Sequence, residues 1–245
     1  QAEWVGGYLG PALQDAGFGS TKIYVLDDIR LVLPEWLHAL MSNNASRGFV
    51  SGVAVHWYLD FLVPSSVLDE THRQYPDVPI LYTEACTGQW PWQPLKVVLG
   101  SWQRAQYYLD DVIDTLNHWS VGWIDWNLFL DTKGGPNWAN NLVDAPIIVN
   151  AGTGEAYKQP MFYALSHVSK LLEEGSLRVA FSAAPSTSSI NSVAFLTPSG
   201  DLVAVILNKK RSPVTVEIRD RSSSRSTLLQ LPASSFTTLY WSPAS

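Results

Sequence analysis

Glu84 is the residue of this sequence whose type and position most directly indicate chemistry. It follows an apolar, strand-like run at residues 79–82 and stands just before a loop rich in glycine and tryptophan. Carboxylates are rarely placed on buried strands without a partner or a task, because burying an unpaired charge is costly. Such a group can act as a nucleophile or exchange a proton with a substrate, and this chemistry normally uses a second carboxylate.

Other polar residues end the strand-like runs in the same way. They are Asp27 and Asp28 in the first run, His56 and Tyr58 in the second, and Asp125 and Asn127 in the fourth. Aromatic rings accompany them, contributed by Trp57, Tyr58, Trp90, Trp92, Trp123, Trp126 and Trp138. Acids, amides and rings together are typical of a sugar site, since hydroxyls need polar partners and sugar C–H faces pack on rings. Any single tryptophan of this set can instead serve in helix–strand packing.

The elements that must position these residues alternate between strand and helix. Strand-like runs at 22–27, 52–59, 79–84 and 121–129 are separated by helical patterns, of which 101–119 is the clearest. This alternation predicts parallel strands joined by helical crossovers. In a parallel barrel, residues at the C-terminal ends of the strands converge on one face, where active sites lie.

The pattern changes near residue 175, where short β-runs separated by turn residues begin. Such runs are typical of an antiparallel sandwich. We therefore predict an α/β chain with two domains, a partial (β/α)8 barrel of about four βα units at 1–175 and a β-sandwich at 176–245. Because a closed barrel has about eight strands, we expect a companion N-terminal polypeptide, or the intact precursor, to complete it.

The composition argues against several functional classes. The net charge is −6 and no basic stripe is present, so we expect no nucleic-acid partner. The apolar runs are interrupted well before the roughly 20 residues that a membrane-spanning helix needs. The histidines lack metal-ligand spacing, so we expect no metal and no other cofactor. Cys86 is the single cysteine, so no internal disulfide can form.

The first residue of the chain, Gln1, is not an initiator methionine, and residues 1–13 resemble neither a signal nor a transit peptide. We expect mature or processed material, the C-terminal part of something longer. One glycosylation sequon, Asn44-Ala45-Ser46, is compatible with a secretory route.

Five segments give this sequence a specific resemblance. They are His56-Trp57-Tyr58-Leu59-Asp60-Phe61, Glu84-Ala85-Cys86, Gly122-Trp123-Ile124-Asp125-Trp126-Asn127-Leu128, Gly134-Gly135-Pro136-Asn137-Trp138 and Tyr157-Lys158-Gln159-Pro160-Met161-Phe162-Tyr163. In type and order they resemble glycoside hydrolase family 30, in its glucosylceramidase branch. The match runs from about residue 9 to the C-terminus, over nearly the whole chain.

The resemblance implies the C-terminal half of a (β/α)8 barrel with an attached β-sandwich, and a retaining β-glucosidase that cleaves glucose from glucosylceramide. It makes Glu84 the nucleophile and Tyr58 a tyrosine beside it. Trp126 and Asn140 fall on positions that contact the glucosyl unit, and His56 and Asp28 are supporting residues. We expect Glu84 to be ionised and stabilised by donors such as Tyr58 or His56. The resemblance also implies a lysosomal or secreted location, with a lipid surface or an activator protein as a further partner.

Two departures from the family pattern matter. Ile29 replaces the polar residue expected after the Asp27-Asp28 pair. The family's acid/base glutamate follows an asparagine in an Asn-Glu-Pro motif, and this sequence contains no Asn-Glu pair. We expect that carboxylate to lie upstream of Gln1, and these 245 residues alone to be inactive.

Three functional hypotheses therefore stay open. The chain is the nucleophile-bearing part of a glucosylceramidase-like hydrolase, a non-catalytic carbohydrate-binding protein derived from that fold, or a processed fragment with a non-enzymatic role. A companion polypeptide with the Asn-Glu-Pro motif would favour the first.

Overall fold

The structure is a computed structural model that describes residues 1–184, 187–221 and 225–242. Two compact units make up the chain. The first comprises Gln1–Cys86 and His118–Trp126, and the second comprises Thr87–Asn117 and Asn127–Ser245. The chain therefore passes from the first unit to the second and back before it completes the second.

A four-stranded parallel sheet forms the centre of the first unit. In chain order its strands are β1 (Ile23–Ile29), β2 (Val50–His56), β3 (Ile80–Glu84) and β4 (Ser120–Trp123), and they pair in that same order. Val53 and Val55 on β2 are both fully buried, as are Ile80 and Tyr82 on β3. The two central strands are thus covered over much of their length, as is typical of a parallel sheet.

Short helices surround this sheet. They are α1 (Ala2–Trp4), a π-helical turn (Val5–Leu9), α2 (Gly10–Asp15), a 3₁₀ turn (Arg30–Val32), α3 (Glu35–Met41), α4 (Asn44–Arg47) and α5 (Ser66–Gln74). Gly6 lets the π-helical turn approach α4 closely, since a Cβ at this position would lie 2.4 Å from the backbone of Ala45. Asn43 caps α4 by accepting the backbone N–H groups of Ala45 and Ser46.

Over its described residues, the second unit holds two longer helices and three groups of strands. Its elements are α6 (Trp102–Asn117), β5 (Phe129–Asp131), β6 (Ile147–Asn150), β7 (Glu155–Lys158), α7 (Pro160–Ser169), β8 (Leu177–Val179), β9 (Ile190–Leu196), β10 (Leu202–Asn208), β11 (Val214–Asp220), β12 (Arg225–Leu231) and β13 (Ser235–Trp241). The strands form an antiparallel sheet ordered β13-β10-β9-β8, the hairpin β11-β12 and a small sheet ordered β5-β6-β7.

Side-chain patterning accounts for the position of α6. Its buried residues include Ala105, Tyr108, Leu109 and Val112, which recur at the spacing of one helix face. On its polar side, the Asp110 carboxylate accepts hydrogen bonds from Lys209 and Asn191 of the antiparallel sheet. These contacts fix the helix on the sheet.

The predicted fold class is confirmed: a parallel four-stranded sheet with helices is followed by antiparallel sheets. The prediction of one strand across 121–129 is wrong, because β4 ends at Trp123 and a separate strand, β5, begins at Phe129. Beyond Trp123 the chain stays beside the end of β3, where the Trp126 N–H donates to the Ala85 carbonyl. The sequence reading also missed β6 and β7.

Two features of the described residues bear on the functional classes. Every helix in those ranges is too short or too polar to pass through a lipid bilayer. Over the same ranges, no set of three or more His, Cys, Asp or Glu side chains is arranged to hold a metal ion.

Candidate active site

Glu84 is the last residue of β3, and its side chain is 21% exposed. Its Oε1 accepts a 2.7 Å hydrogen bond from the Tyr58 hydroxyl. Glu84 pairs in register with His56 of β2, and its carbonyl accepts the backbone N–H of Trp57. The carboxylate is therefore held at the C-terminal edge of the parallel sheet, with one oxygen hydrogen-bonded and partial access to solvent.

The Tyr58 hydroxyl is held between two groups. Besides Glu84 it contacts the Cys86 sulfur at 3.4 Å. Burial raises the pKa of the Tyr58 phenol far above its usual range, and the neighbouring Cys86 and Glu84 raise it further. Tyr58 therefore stays protonated and acts as a permanent donor to Glu84.

His56 lies between two carboxylates. Its Nε2 is 3.0 Å from Asp27 Oδ1 and 3.9 Å from Glu84 Oε2. The first distance is a hydrogen bond and the second is only an ion-pair distance. A carboxylate oxygen is an acceptor in this contact, so we assign the tautomer of His56 with its N–H at Nε2, and this N–H donates a hydrogen bond to Asp27 Oδ1.

The position of Asp27 depends on an irregular backbone. Leu26 and Asp27 both have positive φ angles, 76° and 59°, and the pairing of β1 with β2 shifts at this point. A bulge of this kind redirects a side chain at the end of a strand. The Thr83 hydroxyl also donates to Asp27 Oδ1, over 2.9 Å.

Asp28, which the sequence reading chose as the supporting acid, has a different set of contacts. Its Oδ1 accepts the backbone N–H of the adjacent Ile29 at 2.7 Å, and its side chain is exposed. The hydrogen bond to His56 is made by Asp27 instead. The bulge changes which side chains face this edge, so the alternation of a regular strand does not predict that Asp27 is the acid beside His56.

The segment after β4 lies beside the end of β3. Trp126 donates its backbone N–H to the Ala85 carbonyl over 2.8 Å, one residue beyond Glu84. Trp126 is 44% exposed. A half-exposed ring at this edge can offer a face to a sugar or to another apolar group.

A buried ion pair underlies this edge of the sheet. Arg30 lies 3.0 Å from Asp60 Oδ2, and the two side chains are only 3% and 5% exposed. The Tyr82 hydroxyl donates to the same carboxylate oxygen and accepts from Arg30. Arg30 follows β1, Asp60 follows β2 and Tyr82 lies on β3, so the group joins three neighbouring strands. The sequence reading missed Arg30 and Tyr82, although a charge flanked by apolar residues was a usable signal.

The second unit carries the remaining candidate, Asn140, on the loop after β5. Asn140 is exposed and has a φ of 55°. The Asn137 side chain orders this loop by accepting the backbone N–H groups of Ala139 and Asn141. Trp138, which follows Asn137 in this loop, is fully exposed.

A second loop of the same unit, which follows Cys86, presents stacked rings. The indoles of Trp90 and Trp92 lie 4.9 Å apart and nearly parallel, and Trp92 is 72% exposed. Lys96 holds the loop by donating to the carbonyls of Gly88 and Trp90.

His56, Tyr58 and Glu84 thus contact one another within the first unit, and Trp126 is tied to the same strand end through its backbone. Asn140 belongs to the second unit. The roles of these five residues and of Asp28 stay predictions.

Family comparisons give a consistent result. The profile described as the glycosyl hydrolase family 30 TIM-barrel domain matches residues 1–172. The profile described as the glycosyl hydrolase family 30 beta sandwich domain matches residues 175–239. Together they cover nearly the whole chain.

Three individual proteins illustrate the similarity. The lysosomal acid glucosylceramidase of Mus musculus is 44% identical over 221 residues, which are 90% of this chain and 42% of the mouse protein. The crystal structure of SrfJ from Salmonella typhimurium matches with a TM-score of 0.88 and 26% identity, covering 99% of this chain and 52% of SrfJ. The endo-beta1,6-glucanase BT3312 matches in fold, with a TM-score of 0.81 and 23% identity over 99% of this chain and 53% of that one. The chain spans less than half of the mouse relative.

Proposed function

This chain belongs to glycosyl hydrolase family 30, and from that membership we propose that it supplies the nucleophile, Glu84, of a retaining β-glucosidase. The observation that carries the proposal is the asymmetric setting of the Glu84 carboxylate. Oε1 is bonded by Tyr58 at 2.7 Å, while Oε2 is 3.9 Å from the nearest imidazole nitrogen. One oxygen is therefore oriented by a donor and the other is available to attack.

The proposed reaction has two steps. Glu84 Oε2 attacks the anomeric carbon, the bond to the leaving oxygen breaks, and a glycosyl ester forms. A second carboxyl group protonates the leaving oxygen, then takes a proton from the water that hydrolyses the ester. Tyr58 orients the Glu84 carboxylate throughout both steps, because its raised pKa keeps it a donor.

The second carboxyl group is proposed to come from outside these residues. The sequence has no Asn-Glu pair, which is the pattern the family uses for its acid/base. Asp27 is an unsuitable substitute, because its carboxylate is 65% exposed and already accepts hydrogen bonds from His56 and Thr83. In our proposal a companion N-terminal polypeptide or the intact precursor provides the acid.

The sugar would be held by polar and aromatic groups of this chain. We assign Trp126 and Asn140 to contacts with the glucosyl unit, with His56 and Asp28 in support. The half-exposed indole of Trp126 and the exposed side chain of Asn140 are both accessible to a ligand. Amide groups pair with sugar hydroxyls and indole rings with sugar C–H faces.

The name of one relative supports a proposal for the substrate class. The mouse protein is named a lysosomal acid glucosylceramidase, so we propose a β-glucoside such as glucosylceramide and a lysosomal location. A glucosylated lipid is presented at a membrane surface, so a lipid surface or an activator protein would take part. The exposed rings of Trp92 and Trp138 are compatible with such a surface.

The nucleophile can be tested without the missing acid. A 2-deoxy-2-fluoro-β-glucoside with a highly activated leaving group needs no proton donor and leaves a stable ester on the nucleophile. We expect a fluoroglucosyl adduct on the peptide that contains Glu84, and none in Glu84→Gln. An adduct on another residue, or sugar binding without any adduct, would contradict the proposal.

The acid can be tested separately with a poor leaving group. We expect the chain alone to leave an alkyl β-glucoside intact and to hydrolyse it only when the companion segment is present.

In the complete protein, Glu84→Gly with azide should give the α-glucosyl azide, because azide then attacks from the face that Glu84 occupied. Hydrolysis by the chain alone would show that the acid lies within it.

A carbohydrate-binding protein is the second candidate, favoured by the absence of an Asn-Glu pair together with the exposed tryptophans. It predicts that Glu84→Gln leaves the affinity for glucosides unchanged and that no condition produces turnover.

A further inference from the structure

We propose that Asp27 is a positioning residue for Glu84, which holds the N–H of His56 away from the attacking oxygen. The inference rests on the proposed role of Glu84 as the nucleophile. It concerns a residue that does not touch the reacting atoms and acts through His56.

The two oxygens of Glu84 have unequal surroundings. Oε1 receives the Tyr58 hydroxyl at 2.7 Å, whereas Oε2 has the His56 Nε2 at 3.9 Å, beyond hydrogen-bond reach. An oxygen that accepts a short hydrogen bond has its lone pair engaged and is a poorer nucleophile. Attack by Oε2 therefore requires that the nearby imidazole N–H points elsewhere.

Asp27 supplies the acceptor toward which the His56 N–H points. The same Nε2 atom is 3.0 Å from Asp27 Oδ1 and 3.9 Å from Glu84 Oε2. A single N–H makes one strong hydrogen bond, and the shorter distance assigns it to Asp27. Without that acceptor, a small rotation of the imidazole would deliver the N–H to Oε2.

The local structure around Asp27 is built to hold this acceptor in place. The Thr83 hydroxyl donates to the same oxygen, Oδ1, at 2.9 Å, from the residue that precedes Glu84. Leu26 and Asp27 both adopt left-handed backbone angles that residues with a side chain rarely use. Strain of this kind concentrates at functional sites, where it fixes a side chain in a required position.

A purely structural role for Asp27 accounts for fewer of these observations. The Asp27 carboxylate is 65% exposed, and exposed ion pairs add little to stability. A regular strand without two left-handed residues would also be easier to form. The arrangement is accounted for when the direction of the His56 N–H is what matters.

Two substitutions at Asp27 separate the side chain from the backbone. Glycine accepts the φ of 59° without strain, so Asp27→Gly removes the acceptor and leaves the backbone undisturbed. Asparagine also tolerates this region and keeps a carbonyl oxygen as acceptor, so Asp27→Asn should restore the arrangement. Asp77→Gly, an exposed acid in the loop before β3, is the matched control.

The experiment measures the rate at which the activated fluoroglucoside labels Glu84 in the full chain. We expect Asp27→Gly to slow labelling about tenfold, the order of a hydrogen bond to a charged group. Asp27→Asn and Asp77→Gly should stay within about twofold of the unsubstituted protein. Equal rates for Asp27→Gly and the unsubstituted protein would overturn the proposal, as would an Asp27→Asn variant as slow as Asp27→Gly.

A spectroscopic measurement distinguishes this failure from failure of the nucleophile proposal. With ¹⁵N-labelled histidine, the Nε2–H resonance of His56 should shift in Asp27→Gly and be restored in Asp27→Asn. If the unsubstituted protein is not labelled at Glu84, the nucleophile proposal fails. In that case, a His56 resonance that does not shift in Asp27→Gly also rejects the role of Asp27. The expected shift would instead show that Asp27 accepts the hydrogen bond of His56.

Discussion

The Tyr58 hydroxyl donates to Glu84 Oε1 over 2.7 Å from a site where burial holds it in the protonated form. This pairing sets both the orientation of the Glu84 carboxylate and its asymmetry. A tyrosine that cannot ionise in the working pH range makes a lasting hydrogen bond, unlike a histidine, whose charge changes near neutrality.

Replacement of Tyr58 by phenylalanine should therefore impair the step that forms the ester. Without the donor, the carboxylate can rotate and present either oxygen to His56. We expect labelling of Glu84 by the fluoroglucoside to fall about tenfold, the order of one hydrogen bond to a charged group. Because the pKa of Tyr58 is raised, the pH profiles of the two proteins should run parallel up to about pH 9.

Tyr75→Phe is the matched control, since that hydroxyl contacts His38 on the exposed surface. It should leave the labelling rate unchanged. The labelling rate of the unsubstituted protein could fall at alkaline pH while that of Tyr58→Phe does not. Such a result would mean that Tyr58 titrates in this range, contrary to our expectation.

The proximity of three of these residues could be predicted from the sequence, because strand ends can be recognised from apolar runs. Glu84, His56 and Tyr58 were chosen for their places at the ends of β2 and β3, and the structure brings them into contact. The contact between Asp27 and His56 could not be predicted from the sequence, because it depends on two left-handed residues inside a β-run.

The partners of a buried charge were equally hard to foresee. Arg30 is buried beside Asp60, which follows β2, and Tyr82 on β3, and its guanidinium contacts both side chains. Such a partnership over long sequence separations leaves little periodic signal.

Replacement of Asp60 by alanine should strongly destabilise the first unit. It leaves the Arg30 guanidinium in a buried site without its carboxylate. Removal of one partner of a buried ion pair typically costs about 3–5 kcal/mol. Urea unfolding should show this loss in the midpoint with little change in slope.

The corresponding control is Glu70→Ala, which breaks the exposed pair with Arg73 on α5. Surface pairs of this kind contribute little, so no measurable change in unfolding is expected. If Asp60→Ala and Glu70→Ala lowered the free energy of unfolding by similar amounts, the buried pair of Arg30 and Asp60 would contribute no more to stability than the exposed pair does.

Replacement of Gly134 by alanine should disturb the loop that carries Asn140. Gly134 has a φ of 92°, and a Cβ there would lie 2.3 Å from the Val143 carbonyl oxygen. Gly154 has a φ of 71° but no atom within 4 Å of its Cβ position, so Gly154→Ala isolates the backbone cost. We expect about 1–2 kcal/mol for Gly154→Ala and a larger loss for Gly134→Ala, in urea unfolding of the second unit. Equal losses would mean that the loop relieves the clash by moving.

Replacement of His167 by asparagine should make the second unit less sensitive to acid. Burial lowers the pKa of His167, which contacts the Thr238 hydroxyl at 2.8 Å. The unfolded chain therefore takes up a proton here at a higher pH than the folded chain does. The stability from this site is complete above about pH 6.5 and is lost as the pH falls toward the lowered pKa.

The measurement is the free energy of unfolding in urea at pH 7 and at pH 5. In the unsubstituted protein, protonation of His167 in the unfolded state lowers this free energy at pH 5. His167→Asn removes that proton uptake, so the difference between the two pH values should shrink. An unchanged difference would show that the imidazole is protonated in the folded protein at no cost, despite its burial beside Phe236.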